Sequence, residues 1–248
     1  MNNRIYRNYI NNMVRIPREQ LDLFNELHNS RTEDYKTFSK RSYRGLLNST
    51  IYKYSEPAHF VYELLQNADD AEATEVYITV NREELLFKHN GKKHFDITPE
   101  DAIPSGDINS ITGIGDSSKT DFQNKIGKFG VGFKAVFQYT NTPEIFDDTF
   151  KFKIENLIIP TLLEYDRPER KNGETLFVLP FKDKGESYNE IVKKLDRLQN
   201  PLLFLRTLNK ISLRIDRTGG GKFEEVSYEK QLVETVNYSD GIILENIN

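Results

Sequence analysis

The sequence predicts an α+β fold, a two-layer sandwich in which helices pack on one face of a mixed, mostly antiparallel sheet. Residues 57–71 carry apolar side chains at helical spacing, namely Phe60, Val61, Leu64, Leu65 and Ala68. Strand-like segments predominate in the second half of the chain. Glycine and asparagine turns separate several of these segments, which is typical of hairpins.

The first 50 residues are polar and contain short helical patterns, one of them at Arg18–Leu27. We expect residues 1–50 to form an N-terminal helical extension that packs over the main domain. The helix of residues 57–71 comes next, with Pro57 near its start, where proline is tolerated.

Alternating or β-branched residues predict the strands of the sheet. These strands lie at Glu75–Val80, at Glu84–Lys88, within Ile145–Ile154 as a broken pair, at Thr175–Pro180, at Leu208–Ile215 and at Phe223–Tyr228. Asn90-Gly91 turns the chain after the second strand. Gly219–Gly221 joins the last two strands as a hairpin.

Residues 91–125 are poor in large apolar side chains and rich in Gly, Ser, Asp and Lys. We expect a long loop there, with a short helix near Pro99–Ile103. Gly127–Gly132 is predicted to be a glycine turn that leads into a helix at Phe133–Tyr139. Helical spacing predicts one more helix at Ser187–Arg197.

The composition excludes several classes of function. The net charge is −4, which argues against strong non-specific binding of nucleic acid by this segment. The chain has no cysteine, which removes disulfides, thiolate zinc sites and cysteine nucleophiles. Neither a signal peptide nor an apolar run long enough to cross a bilayer is evident. We therefore expect a cytoplasmic protein with no membrane contact.

Glu63 and Asn67 are four residues apart on one predicted helix, so their side chains lie on the same face. Hydrolysis of ATP needs a base that orients water and an oxygen ligand for Mg²⁺, and a Glu and an amide one turn apart meet both needs. The same spacing also occurs in ordinary amphipathic helices with a solvated polar face. The pair alone is therefore a weak signal.

The glycines of Gly127-x-x-Gly130-x-Gly132 offer backbone N–H groups that can approach phosphates without a clash of side chains. The segment Gly130–Ala135 also matches the dinucleotide pattern G-x-G-x-x-A, but that motif must follow an apolar strand. Residues 121–125 are polar, so a Rossmann turn is not expected. A glycine turn that serves only close packing is the plain structural alternative.

The two motifs together resemble the GHKL ATPase superfamily, which includes gyrase B, Hsp90, histidine kinases and MutL. The strings Glu63–Ala71 and Ile126–Lys134 are most similar to Hsp90 and to the Hsp90-like domains of sacsin-type proteins. The resemblance implies a Bergerat fold that binds ATP and Mg²⁺. It makes Glu63 the general base, Asn67 the Mg²⁺ ligand and Asp70 a further acidic site residue. It places five residues around the phosphates: Gly127, Gly130, Val131, Gly132 and Phe133.

One element departs from the superfamily pattern. GHKL proteins usually carry Asp-x-Gly-x-Gly after the second strand, with the Asp accepting from the adenine amino group, whereas this chain has His89-Asn90-Gly91. Neutral His89 or the side chain of Asn90 can still accept one hydrogen bond. If His89 is the acceptor, ATP affinity should fall below about pH 6.5, and if Asn90 is, affinity should be flat.

Two weaker signals complete the predicted nucleotide site. Ser118 and Lys119 lie in a glycine- and hydroxyl-rich loop similar to the ATP lid of MutL- and Hsp90-like proteins, although a solvated loop explains them equally well. Thr175 matches the threonine that supports the adenine contact in the superfamily. A plain strand threonine is the alternative.

The resemblance implies three regions, with an extension at 1–50, a GHKL ATP-binding core at 51–185, and a helix and strands at 186–248 that complete or extend the domain. We expect the chain to be the N-terminal piece of a larger protein. The expected partners are an adenine nucleotide, further domains of the same protein and a nucleotide-dependent second copy, with nucleic acid reached only through other domains. Slow Mg²⁺-dependent hydrolysis of ATP is one function that remains open. The other is a non-hydrolysing nucleotide-sensing or protein-interaction module with a relaxed adenine site.

Overall fold

The computed structural model describes residues 16–40, 59–113, 132–231, 235–237 and 243–245. Its main sheet has eight strands, which are β1 (Glu75–Val80), β2 (Glu84–His89), β3 (Glu144–Phe146), β4 (Lys151–Glu155), β5 (Ile159–Leu162), β6 (Thr175–Pro180), β7 (Lys210–Asp216) and β8 (Phe223–Glu229). Their spatial order is β5-β4-β3-β6-β2-β1-β7-β8. β1 and β7 are parallel, and all other neighbours are antiparallel. The short strands β9 (Thr235–Asn237) and β10 (Ile243–Glu245) pair separately.

The helices are α1 (Arg18–Phe38), α2 (His59–Asp70), α3 (Asp107–Thr112), a 3₁₀ helix (Phe133–Gln138) and α4 (Glu186–Leu195). Buried residues of all five belong to one core together with Phe87 and Phe177 of the sheet. The adjacent residues Leu86 and Leu176 form a small separate cluster with Phe146 and Val178. Because successive strand residues point to opposite faces, the helices cover one face, and the predicted two-layer α+β sandwich is confirmed.

The helix α1 is longer than the predicted Arg18–Leu27 segment. Its Phe24 ring stacks on Phe150 at 5.9 Å and meets Phe152 at 6.0 Å, which holds the helix against β4. A ring nitrogen of His28 donates to the carbonyl of Pro160 at 2.7 Å. Ion pairs within the last turns, such as Arg31–Asp34, accompany the polar extension of this helix, which the apolar pattern did not predict.

The prediction of a short helix near Pro99–Ile103 is wrong, because the helix of this region is α3, which begins at Asp107. The side chain of Asn109 accepts from the Thr98 N–H at 3.0 Å and donates to the Thr98 carbonyl at 2.9 Å. The Gly106 N–H donates to the Thr98 hydroxyl at 2.8 Å. These long-range contacts close residues 98–106 into a loop, and α3 begins only after it.

Two other differences come from the limits of local patterns. β5 was not predicted, because Pro160 interrupts its pattern, and proline is tolerated there since β5 is an edge strand. The helix predicted at Phe133–Tyr139 is a 3₁₀ helix. The predicted hairpin of Gly219–Gly221 is confirmed, with φ of +75° at both outer glycines and N–H bonds from each to Asp216. Within the described ranges, no helix is long and apolar enough to cross a membrane.

Candidate functional site

The helix α2 places Glu63 and Asn67 one turn apart. Its apolar stripe (Phe60, Val61, Leu64, Leu65 and Ala68) is at most 2% exposed and fixes the rotation of the helix against the core. Glu63 is half-buried, and Asn67 is buried although it is polar. A buried stripe with polar groups beside it is the arrangement that the sequence predicted for this helix.

The carboxyl group of Glu63 lies directly against Gly132. A Cβ atom placed on Gly132 would be 2.2 Å from both Cδ and Oε2 of Glu63, so no larger residue fits while Glu63 keeps its position. The structure therefore brings the predicted base to the last glycine of the glycine motif. Phe133 follows, but its ring is 1% exposed and packs 6.0 Å from Phe177, so it anchors the turn to the core.

Five of the predicted phosphate-site residues, Ser118, Lys119, Gly127, Gly130 and Val131, lie outside the described ranges. Lys134, two residues past Gly132, is described and was not predicted to matter. Its ammonium group donates to the carbonyls of Ile111 and Leu157, both at 2.7 Å, and burial lowers its pKa to about 7. This lysine ties the 3₁₀ helix to the end of α3.

Asn67 is 6% exposed, and among the residues that the structure describes its side-chain amide has no hydrogen-bond partner. The side chain of Asn67 is thus an available oxygen and nitrogen pair beside Glu63.

The neighbouring acidic residues have different surroundings. Asp70 pairs with Arg206 at 3.2 Å, and its pKa is raised by burial and by Asp69 although Arg206 opposes the shift. Asp70 therefore faces the segment before β7. This contact gives Asp70 a structural partner in addition to its predicted place in the nucleotide site.

Asp69 has a role that the sequence analysis missed. Its carboxylate is 6% exposed and accepts from the backbone N–H groups of Arg206 (2.9 Å), Thr207 (2.6 Å) and Leu208 (2.9 Å), and from the Thr207 hydroxyl (2.8 Å). Burial alone would raise the pKa of Asp69, but these hydrogen bonds outweigh it and lower the pKa. Two acidic residues at a helix C-terminus, where the helix dipole disfavours anions, were the signal that could have revealed it.

Replacing Asp69 with alanine is expected to destabilise the fold by about 2–4 kcal/mol, because three backbone N–H groups, one of them buried and two part-buried, lose their acceptor. Asp70→Ala is the matched control and should cost less than about 1 kcal/mol, since Arg206 is exposed. Urea unfolding measures both values. The lowered pKa means that the Asp69 contribution is complete above the ordinary value of 3.8 and is lost as pH falls through the folded value. Equal costs for both variants at pH 7 would contradict this assignment.

The segment after β2 turns against the end of α2. The Gly91 N–H donates to Nδ1 of His89 at 3.1 Å, and a Cβ on Gly91 would lie 2.9 Å from the Ala71 carbonyl. The side-chain oxygen of Asn90 accepts from the N–H groups of Thr74 and Glu75, both at 2.9 Å, and its amide nitrogen donates to the Thr74 hydroxyl at 2.9 Å. Gly91 is required for this close approach.

These contacts revise what was expected of His89 and Asn90 as acceptors for adenine. His89 is 2% exposed, and burial, together with the nearby His94, lowers its pKa to about 4. Its ring is therefore neutral above that pH, and no change in its charge is expected near pH 6.5. Because Nδ1 of His89 accepts from the Gly91 N–H, the ring proton of neutral His89 is on Nε2, which can only donate. The oxygen of Asn90 is already engaged.

Thr175 lies next to His89, its register partner in the β2–β6 pair. It is 1% exposed, and its hydroxyl donates to Oδ2 of Asp147 at 3.1 Å. Nδ1 of His94 lies 3.0 Å from the same oxygen. Asp147 and His94 were not predicted, because no local pattern joins residues so far apart in the sequence.

Comparisons with known proteins identify the domain type. Residues 40–162, about half of the chain, match the family model described as the Sacsin domain. The "Protein NO VEIN" of Arabidopsis thaliana is 32% identical over 122 residues, which cover 44% of this chain and 4% of that protein. Human "Sacsin" is 32% identical over 114 residues, which cover 42% of this chain and 2% of that protein.

Two further similarities are more distant. The "Putative type II restriction enzyme HgiDII" of Herpetosiphon aurantiacus is 31% identical over 99 residues, covering 38% of this chain and 15% of that protein. A solved structure titled "Crystal Structure of N terminal domain of a DNA repair protein" aligns with a TM-score of 0.47 and 18% identity. The alignment covers 73% of this chain and 55% of that chain. The chain spans between 2% and 15% of the length of the three curated relatives. Residues 40–162 of this chain belong to a sacsin-type domain.

Proposed function

We propose that this domain binds ATP with Mg²⁺ and hydrolyses it slowly. The observation that carries the proposal is the contact between Glu63 and Gly132. It places a carboxylate, one helical turn from a buried amide, against the last glycine of a Gly-x-x-Gly-x-Gly motif. A base next to a phosphate-binding turn is the arrangement that hydrolysis of a phosphoanhydride requires.

The described residues fit the nucleotide and its metal. The side-chain oxygen of Asn67 is the type of ligand that Mg²⁺ prefers, and it has no described partner to lose. When bound, Mg²⁺ would neutralise charge that develops on the phosphates. Glu63 would orient the attacking water and accept its proton. The glycine N–H groups, including that of Gly132, would donate to phosphate oxygens.

The biological setting is part of the same proposal. The chain spans at most 15% of the length of its curated relatives, so most of each relative lies outside the matched segment. In a longer protein of this kind, nucleotide binding would change the position of further domains. A nucleotide-dependent contact with a second copy and a cytoplasmic location fit this role. Any contact with nucleic acid would then come from other domains, since the net charge of this one is −4.

Calorimetry with ATP, ADP and GTP, with and without Mg²⁺, tests the binding step. We expect ATP to bind and Mg²⁺ to strengthen its binding. Asn67→Ala should remove most of the Mg²⁺-dependent part, whereas Asn189→Ala, an exposed asparagine on α4, should change nothing. Absence of heat and of any thermal shift with all three nucleotides at millimolar concentration would refute the proposal.

A non-hydrolysing nucleotide sensor is the second candidate. One observation favours it, because a buried neutral His89 stands where the superfamily has a carboxylate. Measurement of phosphate release separates the candidates. A sensor would bind ATP without Glu63-dependent turnover, and an ATPase would lose turnover when Glu63 is replaced.

A further inference from the structure

Asp147 is a carboxylate buried at the end of β3. Its side chain is 0% exposed, and it accepts from Nδ1 of His94 (3.0 Å), the Thr175 hydroxyl (3.1 Å) and the N–H groups of Phe95 (3.4 Å) and Thr149 (3.0 Å). A carboxylate only accepts, so Nδ1 of His94 carries the proton. The other ring nitrogen of a neutral His94, Nε2, is then an acceptor, and the His94 side chain is 33% exposed.

Asp147 and His94 lie at the same end of the sheet as His89, the residue at which the resemblance predicts recognition of the base. Thr175 is the register partner of His89, and Phe146, which precedes Asp147, is opposite Leu176. The chain reaches His94 through the Gly91 turn, whose following N–H groups donate to the Ala71 carbonyl just after α2. His94 is also close enough to His89 to lower its pKa.

Within residues 89–94, which are all described, one side chain retains an acceptor that no other described residue contacts. His89 and Asn90 have used theirs on Gly91, Thr74 and Glu75. The two lysines of the segment only donate. Nε2 of His94 remains, held in the accepting tautomer by Asp147.

We infer that His94, positioned by Asp147, accepts a hydrogen bond from the exocyclic amino group of adenine and so selects adenine over a 6-oxo purine. The inference rests on the proposed nucleotide site and names its base-recognition residue. Asp147 is the positioning residue, since it touches His94 and not the base.

Competition between ATP and inosine triphosphate tests the inference, because inosine carries a carbonyl where adenine carries the amino group. The wild-type protein should prefer ATP on the order of tenfold. His94→Leu should lose this preference through weaker ATP binding, with the affinity for inosine triphosphate unchanged. Thr149→Ala is the control, because its backbone N–H still reaches Asp147, and it should keep the preference.

Asp147→Asn separates positioning from mere structural support. The new amide would donate to Nδ1 of His94 and move the ring proton to Nε2, which would then donate to the inosine carbonyl. The preference should reverse in favour of inosine triphosphate, with folding checked by thermal unfolding. An identical ATP preference in the wild type and His94→Leu would overturn the inference and leave the nucleotide site intact. Failure of every nucleotide to bind would overturn both.

Discussion

ATP turnover should fall about 10²–10⁴-fold when Glu63 is replaced by glutamine, while ATP affinity stays close to that of the wild type. Glutamine keeps the size of the side chain on α2, so the contact with Gly132 is retained. It cannot accept a proton from water as a carboxylate does. The loss is therefore expected in the chemical step and not in binding.

Phosphate release under saturating Mg²⁺–ATP measures this effect, and calorimetry measures affinity in parallel. Glu190→Gln is the matched control, because Glu190 is an exposed glutamate on another helix, and its turnover should equal that of the wild type. Equal phosphate release by the wild type and Glu63→Gln would show that Glu63 is not the base, whatever the affinity.

The substitution Gly132→Ala should lower turnover on the order of 10²-fold and destabilise the fold by about 1–3 kcal/mol. The new methyl group would lie 2.2 Å from the Glu63 carboxyl, so Glu63 or the turn must move. Gly132 has φ of −65° and ψ of −39°, a conformation that alanine adopts without strain. The effect therefore isolates the contact with Glu63.

The control for this substitution is Gly113→Ala. Gly113 also has a negative φ of −66°, and a Cβ there would come no closer than 3.4 Å to the Asn109 carbonyl. Its turnover and melting temperature should stay near wild-type values. Adding Gly132→Ala to Glu63→Gln should cause little further loss of turnover, because both act through the same carboxylate. A further 10²-fold loss would contradict this explanation.

The position of each predicted site residue depended on different information. The spacing of Glu63 and Asn67 predicted their shared helix face, and the structure has them one turn apart on α2. Asn90 and His89 were expected to offer acceptors, but the Thr74, Glu75 and Gly91 N–H groups occupy those acceptors. These hydrogen bonds form because β1 pairs with β2 and brings the ends of the two strands together. The types of residue at positions 89 and 90 do not by themselves specify that pairing.

Local periodicity was sufficient for elements whose residues alternate or repeat within one segment. It placed β1 and β6 at their observed bounds, because each is an uninterrupted apolar or β-branched run. It failed for α3 and for β5. The first depends on Asn109 bonding Thr98 across 11 residues, and the second contains Pro160 and is an edge strand next to β4.

The sequence by itself determined the α+β class, the α2 motif and the glycine motif, because neighbouring residues carry those signals. The tertiary structure decided three contacts: Glu63 with Gly132, Asp69 with the segment before β7, and Asp147 with His94. Each joins residues more than 50 positions apart or depends on strand order. Hydrogen bonding and burial act between atoms that are close in space, and the folded chain alone sets which distant residues become neighbours.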